Sequence, residues 1–358
     1  MAKFHSLKIK EVRRETDDCV SIAFDVPADL TPEYQYQPGQ HLTLRKKLNG
    51  EELRRTYSIC AAPFENELRV AVKKVEGGRF SSFANELLTA GENIDVLTPM
   101  GNFTVGTDVN HEKFYVAFAA GSGITPVISL MKTILKKEPK SFFTLFYGNQ
   151  ASRSIIFLEE IEALKNQYLG RLSVHHVLSR EHPGNELFYG RISKDKCDIF
   201  LKRLVNPVDV DEFFLCGPEE MIEAARQSLQ AAEVPDQKIH FELFTTPEQK
   251  AGQKTQVKKT DTRAAILSQI AVTLDGKTFS FELPSTGDTI LDAASAYGTD
   301  LPFACKGGVC CTCKAKVLEG EVEMDVNYAL VEEELKAGYV LTCQSHPKTE
   351  YVHVSFDE

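Results

Sequence analysis

Four cysteines near the carboxyl end constrain the fold of this chain more than any other feature. The segment CKGGVCCTC places Cys305, Cys310 and Cys313 at the spacing C-x4-C-x2-C, and Cys343 follows in the segment VLTCQS. This spacing is the plant-type pattern of thiolates that hold a [2Fe–2S] cluster. A structural zinc site usually pairs two C-x2-C motifs, whereas this segment contains one. The sequence therefore predicts a [2Fe–2S] cluster, with zinc as the alternative.

Two glycines and a fifth cysteine in the same loop fit this interpretation. A loop around a cluster has to turn backbone N–H groups toward the sulfides, and glycine reaches the necessary conformations at the lowest cost. Gly307 and Gly308 stand between the first two ligands. Because Cys311 is adjacent to Cys310, their side chains diverge. We therefore expect Cys311 to pack in the interior rather than to bind iron.

Length and composition indicate a soluble protein of a reducing compartment. A chain of 358 residues exceeds the size of one ordinary core and favours two or three domains. The first residues contain no apolar run of signal-peptide length, and no later stretch approaches the length of an apolar membrane span. We therefore expect a cytoplasmic protein without membrane attachment. In that compartment nine cysteines point to metal or redox chemistry rather than to disulfides.

The negative charge is concentrated in the part of the chain that carries the cysteine loop. The formal net charge is −10, and residues 269–358 contain six lysines, no arginine and fifteen acidic residues. The negative electrostatic potential of this segment argues against nucleic acid as a partner and favours docking on a basic protein surface. A surface that is acidic only for solubility is the alternative.

The periodicity of apolar residues divides the chain into four segments. Residues 1–108 alternate short apolar strands with turn residues, which predicts an antiparallel β-barrel. Residues 109–245 alternate apolar strands with amphipathic helices, which predicts a parallel sheet with helices on its faces. Residues 246–268 lack apolar periodicity and are expected to form a tether. Residues 269–358 begin with two strands joined at Asp275-Gly276 and contain the cysteine loop.

Individual elements follow from the same patterns. In the last segment a short helix, Ile290–Tyr297, is expected before the cysteine loop. In the first segment we expect the strands Phe4–Lys10, Val20–Val26, His41–Leu44, Arg54–Ile59, Leu68–Val75 and Asn93–Leu97.

A glycine turn in the second segment predicts a site for a nucleotide phosphate. The sequence FYVAFAAGSGITPVISLMK places Gly121, Ser122 and Gly123 between a strand and a helix, with Thr125 and Pro126 at the helix start. The glycines let the backbone approach a pyrophosphate, whose charge then meets the helix N-terminus. The motif lacks the full G-x-G-x-x-G pattern, so a turn that only changes the chain direction is the alternative.

The ends of three further strands support a nucleotide site, because ligands of α/β sheets bind at the carboxyl ends of strands. A cation there suits a ribose 2′-phosphate, so Arg180 favours NADPH, while the neighbouring Glu181 keeps NADH open. Cys216 is also compatible with an ordinary small core residue. The residues at these ends are Gly148 and Asn149, Ser179 and Arg180, and Cys216, Gly217 and Pro218.

The segment LRRTYSIC marks a candidate site on the barrel itself. Because strand side chains alternate, Arg55 and Tyr57 share one face, and Thr56 and Ser58 share the other. Downstream, Gly78 precedes a helical pattern, which predicts another seat for a phosphate. Taken alone, these polar residues are also compatible with an ordinary surface.

Together the motifs resemble those of a known family. The chain is similar to members of the ferredoxin–NADP reductase superfamily that carry a C-terminal plant-type ferredoxin domain, and among these to reductase subunits of ring-1,2-phenylacetyl-CoA epoxidases. The resemblance implies a multidomain fold with an antiparallel β-barrel FAD domain, an α/β parallel-sheet NAD(P) domain and an α+β (β-grasp) ferredoxin domain. The motifs that carry it are RRTYSIC, GGRFSSF, AAGSGITP, LFYGN, FLCGPEEMI, HFELFTTP, LPFACKGGVCCTC and GYVLTCQS.

The resemblance also implies roles for the residues that match these motifs. Ser58, Cys216 and Glu242 are expected to be catalytic, with Ser58 near flavin N5. The FAD site is expected to contain Arg55 at the phosphate, Tyr57 against the flavin, and Ile59, Val72, Gly78, Phe80, Ser81 and Phe244. The coenzyme site is expected to contain Gly121, Ser122, Gly123, Thr125, Gly148, Asn149, Ser179, Arg180, Gly217 and Pro218. The cluster ligands are expected to be Cys305, Cys310, Cys313 and Cys343.

This set of cofactors implies electron transfer. A nicotinamide gives up two electrons as a hydride, a [2Fe–2S] cluster accepts one at a time, and flavin can convert one mode into the other. We therefore expect an NAD(P)H-dependent reductase that passes electrons through FAD and the cluster to the oxygenase of a multicomponent monooxygenase. The di-iron phenylacetyl-CoA epoxidase is the first candidate. A reductase for another hydroxylase or demethylase and a zinc-stabilised binding protein without catalysis are the alternatives.

Overall fold

The computed structural model describes residues 3–244 and 266–358, which form three main sheets. Most of the predicted tether, residues 246–265, lies outside the described residues. A strand already begins at Leu267, slightly before the expected start of the last domain at residue 269. Among the described residues, no helix has both the length and the apolar character needed to cross a membrane.

The first sheet is antiparallel and closes on itself. It consists of β1 (Phe4–Thr16), β2 (Cys19–Asp25), β3 (His41–Leu48), β4 (Glu51–Ser58), β5 (Leu68–Lys73) and β6 (Asn93–Leu97), with helix α1 (Arg79–Glu86) between β5 and β6. The strand order is β4-β3-β6-β1-β2-β5, and a bridge between Ile59 and Val70 joins the two edges. Alternating residues such as Leu42 and Leu44 fill the interior. The predicted barrel is therefore confirmed.

Two parts of the barrel are longer than the sequence patterns indicated. Strand β1 continues to Thr16 instead of ending at Lys10, because its charged second half still pairs with β2. Strands β3 and β4 extend to the Asn49-Gly50 turn, where φ values of 52° and 85° suit a tight two-residue hairpin. Pairing with a neighbour sustains these strands where apolar alternation is absent.

The second sheet is parallel, as predicted. Its strands are β7 (Phe114–Ala120), β8 (Phe142–Asn149), β9 (Leu172–Leu178), β10 (Glu212–Gly217) and β11 (Ile239–Leu243), and its helices are α2 (Ile124–Lys137), α3 (Leu158–Gln167), α4 (Lys194–Arg203) and α5 (Glu219–Ala231). Helices α2 and α3 cover one face, and α4 and α5 cover the other. The order β11-β10-β7-β8-β9 reverses between β7 and β10. A ligand crevice is expected at the carboxyl ends of these two strands.

The third sheet carries the cysteine loop. It consists of β12 (Leu267–Leu274), β13 (Lys277–Pro284), β14 (Lys314–Glu319), β16 (Tyr339–Leu341) and β18 (Tyr351–Ser355), with β15 (Val322–Met324) and β17 (Ser345–Pro347) in a small second sheet and helices α6 (Ile290–Ala296) and α7 (Glu332–Lys336). The predicted turn between β12 and β13 has left-handed φ values at Asp275 and Gly276. A five-stranded mixed sheet with α6 packed on its core matches the expected β-grasp arrangement.

Candidate functional site

A cavity of about 1520 Å³ lies where the three sheets meet. Its volume exceeds that of an ordinary small-molecule pocket, so it has room for more than one nucleotide. Of the predicted site residues, it brings together Arg55, Tyr57, Ser58, Gly78, Phe80, Ser81, Gly121, Ser122, Thr125, Gly148, Asn149, Ser179, Arg180, Gly217, Pro218, Glu242, Phe244, Cys305 and Cys310. The predicted residues Ile59, Val72, Gly123, Cys216, Cys313 and Cys343 are buried and are not part of its lining.

Two of these buried residues belong to the barrel core, and their place in the flavin site stays a prediction. The side chains of Ile59 and Val72 are fully buried in the barrel core. They therefore support the strand that carries the site rather than offering side chains to a ligand in the cavity.

One wall of the cavity is formed by the inner side of β4 and by α1. The rings of Tyr57 and Phe80 lie 5.7 Å apart between their centroids. The turn before α1 is tight, because a Cβ atom at Gly78 would lie 2.5 Å from Ser81 Oγ. That Oγ accepts a hydrogen bond from Val75 N and donates one to Gly78 O, each 3.1 Å long. An arginine, two aromatic rings and a fixed glycine turn fit the phosphate and ring system of FAD.

A hydroxyl and a carboxylate meet at the junction of the barrel and the parallel sheet. Ser58 Oγ donates a 2.9 Å hydrogen bond to Glu242 Oε2. The other carboxylate oxygen lies 3.6 Å from His41 Nδ1. Both ring nitrogens of His41 are buried and have no hydrogen-bond partner within the described residues. Ser58 and Glu242 are predicted as site residues from the sequence, whereas His41 is not. The one indication of His41 in the sequence is that a polar residue begins the apolar strand segment HLTL.

The glycine turn after β7 approaches the end of β10 so closely that only glycine fits. A Cβ atom at Gly123 would lie 2.0 Å from the carbonyl oxygen of Cys216. Thr125 Oγ1 donates to Ser122 O at 3.0 Å, and Tyr147 Oη donates to Gly121 O at the same distance. The turn leads directly into α2, an arrangement that suits an anionic ligand at the helix N-terminus.

Cys216 is buried behind the cavity lining, at the end of β10. Its side chain has no exposed surface, and burial, together with the nearby Glu242, raises the pKa of its thiol well above the ordinary value. The thiol is therefore neutral at physiological pH and offers a small apolar contact rather than a nucleophile.

The strand end at Ser179 and Arg180 is anchored by backbone hydrogen bonds to the end of β8. Ser179 N donates to Asn149 O at 2.9 Å, and Arg180 N donates to Gln150 O at 2.8 Å. The neighbouring Glu181 accepts hydrogen bonds from Ser152 Oγ at 2.6 Å and Ser152 N at 2.8 Å. These bonds lower the pKa of Glu181 and hold its carboxylate at Ser152, while Arg180 lines the cavity.

The four predicted cluster ligands are buried in one loop region. Gly307 N donates to Cys305 Sγ at 3.3 Å, and Gln344 Nε2 donates to Cys343 Sγ at 3.5 Å. Gly308 has a φ of 73°, and a Cβ atom there would lie 3.0 Å from the Val326 side chain. Such N–H donors to sulfur and a glycine at the close approach fit a thiolate-bound cluster.

Two further observations concern the identity of this centre. Within residues 3–244 and 266–358, no three His, Cys, Asp or Glu side chains converge in the way that a single metal ion requires. Cys311 packs in the domain core, where burial raises the pKa of its thiol to about 12, in agreement with the expectation that it is not a ligand.

Comparisons with known proteins assign each sheet to a domain family. Residues 6–105 match the oxidoreductase FAD-binding domain, residues 118–227 the oxidoreductase NAD-binding domain, and residues 272–348 the 2Fe-2S iron–sulfur cluster binding domain. The chain is 44% identical over 357 residues to a 1,2-phenylacetyl-CoA epoxidase subunit from Escherichia coli (strain K12), with coverage of 100% of this chain and 99% of that protein. The chain belongs to the ferredoxin–NADP reductase superfamily.

Other members of the superfamily share the complete three-domain order. The ferredoxin reductase component of 3-ketosteroid-9-alpha-monooxygenase from Rhodococcus rhodochrous is 34% identical, over 98% of this chain and 96% of that protein. The solved structure of phthalate dioxygenase reductase covers 99% of this chain and 98% of its own, with a TM-score of 0.58 and 22% identity, and shows the same fold.

Membership in this superfamily confirms the predicted fold class, resemblance and cofactors. The chain is an NAD(P)H-dependent oxidoreductase with domains for FAD and a [2Fe–2S] cluster. The alternative of a zinc-stabilised binding protein is not favoured, because the family that matches the cysteine loop binds an iron–sulfur cluster.

Proposed function

We propose that this chain is the reductase component of a multicomponent monooxygenase, and that its partner is a di-iron oxygenase that epoxidises phenylacetyl-CoA. The observation that carries the proposal is the 44% identity, over the whole length of both chains, to a subunit of 1,2-phenylacetyl-CoA epoxidase. The shared cavity supports it, because residues of the flavin, nicotinamide and cluster sites line one space.

Within the cavity, the inner side of β4 and helix α1 hold FAD. Arg55 binds its phosphate, Tyr57 and Phe80 contact its rings, and the Gly78–Ser81 turn receives the pyrophosphate. Ile59 and Val72 support this wall from the barrel core, and Phe244 closes the cavity at the end of the parallel sheet. When bound, FAD converts the two-electron hydride of the coenzyme into single-electron transfers.

The nicotinamide coenzyme binds at the crevice between β7 and β10. Gly121, Ser122 and Thr125 present backbone N–H groups to its pyrophosphate, and Gly217 and Pro218 border its nicotinamide. Gly123 supports this site by allowing the turn to approach the end of β10. Gly148 and Asn149 continue the site along the end of β8. Ser179 and Arg180 bind the ribose 2′-phosphate of NADPH. The fixation of the Glu181 carboxylate by Ser152 supports NADPH over NADH, because it keeps a negative charge away from that phosphate.

Ser58, Cys216 and Glu242 form the reaction centre. The hydrogen bond from Ser58 Oγ to Glu242 Oε2 holds a proton between the two side chains at the cavity wall and provides a path by which a proton leaves the flavin side. Buried Cys216 excludes water beside the nicotinamide. At the opposite side, Cys305, Cys310, Cys313 and Cys343 hold the cluster that passes electrons onward.

The proposed domain limits are residues 1–108 for the FAD domain, 109–245 for the NAD(P) domain and 269–358 for the ferredoxin domain, with a linker between the last two. We also propose the cytoplasm as the compartment, where free thiols and NAD(P)H are available.

The direct test combines the purified holoprotein with purified oxygenase components. We expect NADPH-dependent epoxidation of phenylacetyl-CoA when the phenylacetyl-CoA oxygenase is present. The control is the 3-ketosteroid oxygenase, whose reductase is 34% identical to this chain and represents the alternative partner class. Turnover with the steroid oxygenase and none with phenylacetyl-CoA would reject the proposed partner and retain the reductase chemistry.

A further inference from the structure

The outer face of the β3–β4 hairpin is polar and nevertheless buried. The outward-facing side chains are His41, Thr43 and Arg45 on β3 and Arg54, Thr56 and Ser58 on β4. An antiparallel sheet ordinarily leaves its polar face in water. Here Arg54 is 5% exposed and Thr43 is 1% exposed. We call these six residues the hairpin face; the cluster domain and the end of the parallel sheet cover it.

Two arginines on the hairpin face stand directly opposite each other. Arg45 and Arg54 are a cross-strand pair in the register of β3 and β4. Like charges in such a pair destabilise a sheet unless an opposite charge lies between them. The carboxylate of Asp300, in the cluster domain, contacts both guanidinium groups, with a distance of 3.4 Å between Arg45 Nη1 and Asp300 Oδ2. Within the barrel, Arg45 pairs with Asp95 at 3.1 Å and Arg54 pairs with Glu52 at 2.8 Å. Asp300 of the cluster domain adds a third carboxylate that bridges the two arginines.

Arg54 is also held by Leu301 and Phe303 of the same segment and by Phe4 of the barrel. Its Nη1 donates to the carbonyl oxygen of Leu301 at 3.2 Å. Its guanidinium carbon lies 4.2 Å from the ring centroid of Phe303 and 5.3 Å from that of Phe4. Residues 300–303 lead directly into the cysteine loop, so this contact fixes the approach of that loop.

A second contact touches the cysteine loop itself. Thr43 Oγ1 lies 3.4 Å from Thr312 Oγ1, and Thr312 precedes the predicted ligand Cys313. At the far end of the interface, Asn102 Nδ2 donates to Glu334 Oε2 at 2.7 Å. Both sides of β4 border the cavity. The side that carries Arg54 also contacts the cluster domain, through Asp300 and Leu301.

We propose that the cross-strand pair Arg45–Arg54 is a docking site for Asp300 and positions the cluster domain for electron transfer from the flavin. The inference rests on the proposed flavin site. Each transfer it serves takes one electron from flavin that NAD(P)H has reduced and converts one ferric ion of the cluster to ferrous. Arg54 and Asp300 are positioning residues, because they act through the placement of the cysteine loop; Arg54 also borders the cavity.

The test is a charge reversal at Asp300 in the holoprotein. Asp300→Arg places a third guanidinium beside Arg45 and Arg54, and because the Asp300 side chain is 65% exposed the cluster domain retains its fold. Asp288→Arg is the matched control, since it makes the same change at an exposed aspartate of the same domain outside the interface. Asp300→Glu keeps the charge and tests for rescue.

Three readouts separate docking from a general loss of structure. We expect Asp300→Arg to increase the radius of gyration in small-angle X-ray scattering and to slow cluster reduction by about tenfold or more. Flavin reduction by NADPH, measured in the same stopped-flow experiment, is expected to remain as in Asp288→Arg. Asp300→Glu is expected to restore the cluster-reduction rate to within about threefold of the unaltered protein.

Several outcomes would overturn the docking role. Equal cluster reduction and equal dimensions in Asp300→Arg and Asp288→Arg would do so, and so would a parallel loss of flavin and cluster reduction. Failure of the proposed function would look different: the unaltered protein would reduce its own cluster normally and would support no epoxidation with the oxygenase.

Discussion

Substitution of Gly123 by alanine tests the closest backbone approach in the nucleotide site. The added Cβ atom would lie 2.0 Å from the carbonyl oxygen of Cys216, whereas real Cβ contacts essentially never fall below 3.0 Å. The turn after β7 and the end of β10 therefore have to separate by about 1 Å. The neighbouring atom is backbone, so a change of side-chain rotamer cannot relieve the contact.

The cost of this separation has two measurable parts. Overpacking of a buried site costs about 1–3 kcal/mol of unfolding free energy. For a domain of this size, a loss of 1 kcal/mol lowers the Tm by about 4 °C. The Tm of the NAD(P) domain in scanning calorimetry is therefore expected to fall by about 4–12 °C. Because a misplacement of 1 Å can cost about 100-fold in rate, we expect flavin reduction by NADPH to slow by about 10–100-fold.

Gly106→Ala is the matched control for this substitution. A Cβ atom at Gly106 meets no atom within 4 Å, and its φ lies outside the left-handed region. We expect its Tm to remain unchanged or to rise slightly, because alanine restricts the unfolded chain. If Gly123→Ala and Gly106→Ala have the same Tm and the same rate of flavin reduction, the predicted effect of the contact between Gly123 and Cys216 is wrong.

Three other perturbations test separate parts of the molecule. Cys343→Ser is expected to abolish iron–sulfur absorption and electron delivery to the oxygenase while NADPH oxidation with a small flavin-directed acceptor continues; equal loss of both activities would contradict separate cofactor roles. Arg180→Ala is expected to raise the KM for NADPH about tenfold and the KM for NADH less than about twofold, and equal effects in steady-state assays would argue against a 2′-phosphate contact. The hydrogen bond from Arg69 holds the pKa of Glu67 below its ordinary value of 4.5, so its stabilisation is present above that value and disappears as the pH falls through the lowered pKa. Glu67→Gln should therefore cost about 0.5–1 kcal/mol near pH 7, after allowance for solvent screening, and almost nothing near pH 2, and a cost in urea unfolding that does not change with pH would count against the pair.

The parts of the site that lie close together in the sequence could be predicted. The spacing of Cys305, Cys310 and Cys313 reflects local loop geometry, and the Gly121–Gly123 turn sits between a strand and a helix that both show strong apolar patterns. For the same reason the alternation of strands and helices identified the parallel sheet. Such motifs can be recognised in the sequence because the residues that form each site are neighbours along the chain.

Features that depend on contacts between domains could not be predicted. Strand alternation places Arg54 and Arg55 on opposite faces, but nothing in the local sequence indicates that Arg54 meets Asp300, a residue 246 positions away. His41 was missed because Glu242, whose carboxylate lies 3.6 Å from its ring, belongs to another domain. The second half of β1 was missed because pairing with β2, rather than apolar alternation, extends it to Thr16.

The number of residues in β4 determines which of its side chains face α1 and which face the cluster domain. Deleting or inserting one residue between Leu53 and Ser58 would rotate every later side chain to the other side of the strand. The aromatic ring that belongs with the flavin would then point at the ferredoxin module, and the serine would lose its carboxylate partner. Length changes at the nearby Asn49-Gly50 turn leave this orientation intact, so the hairpin can tolerate loop grafts where its strand tolerates none.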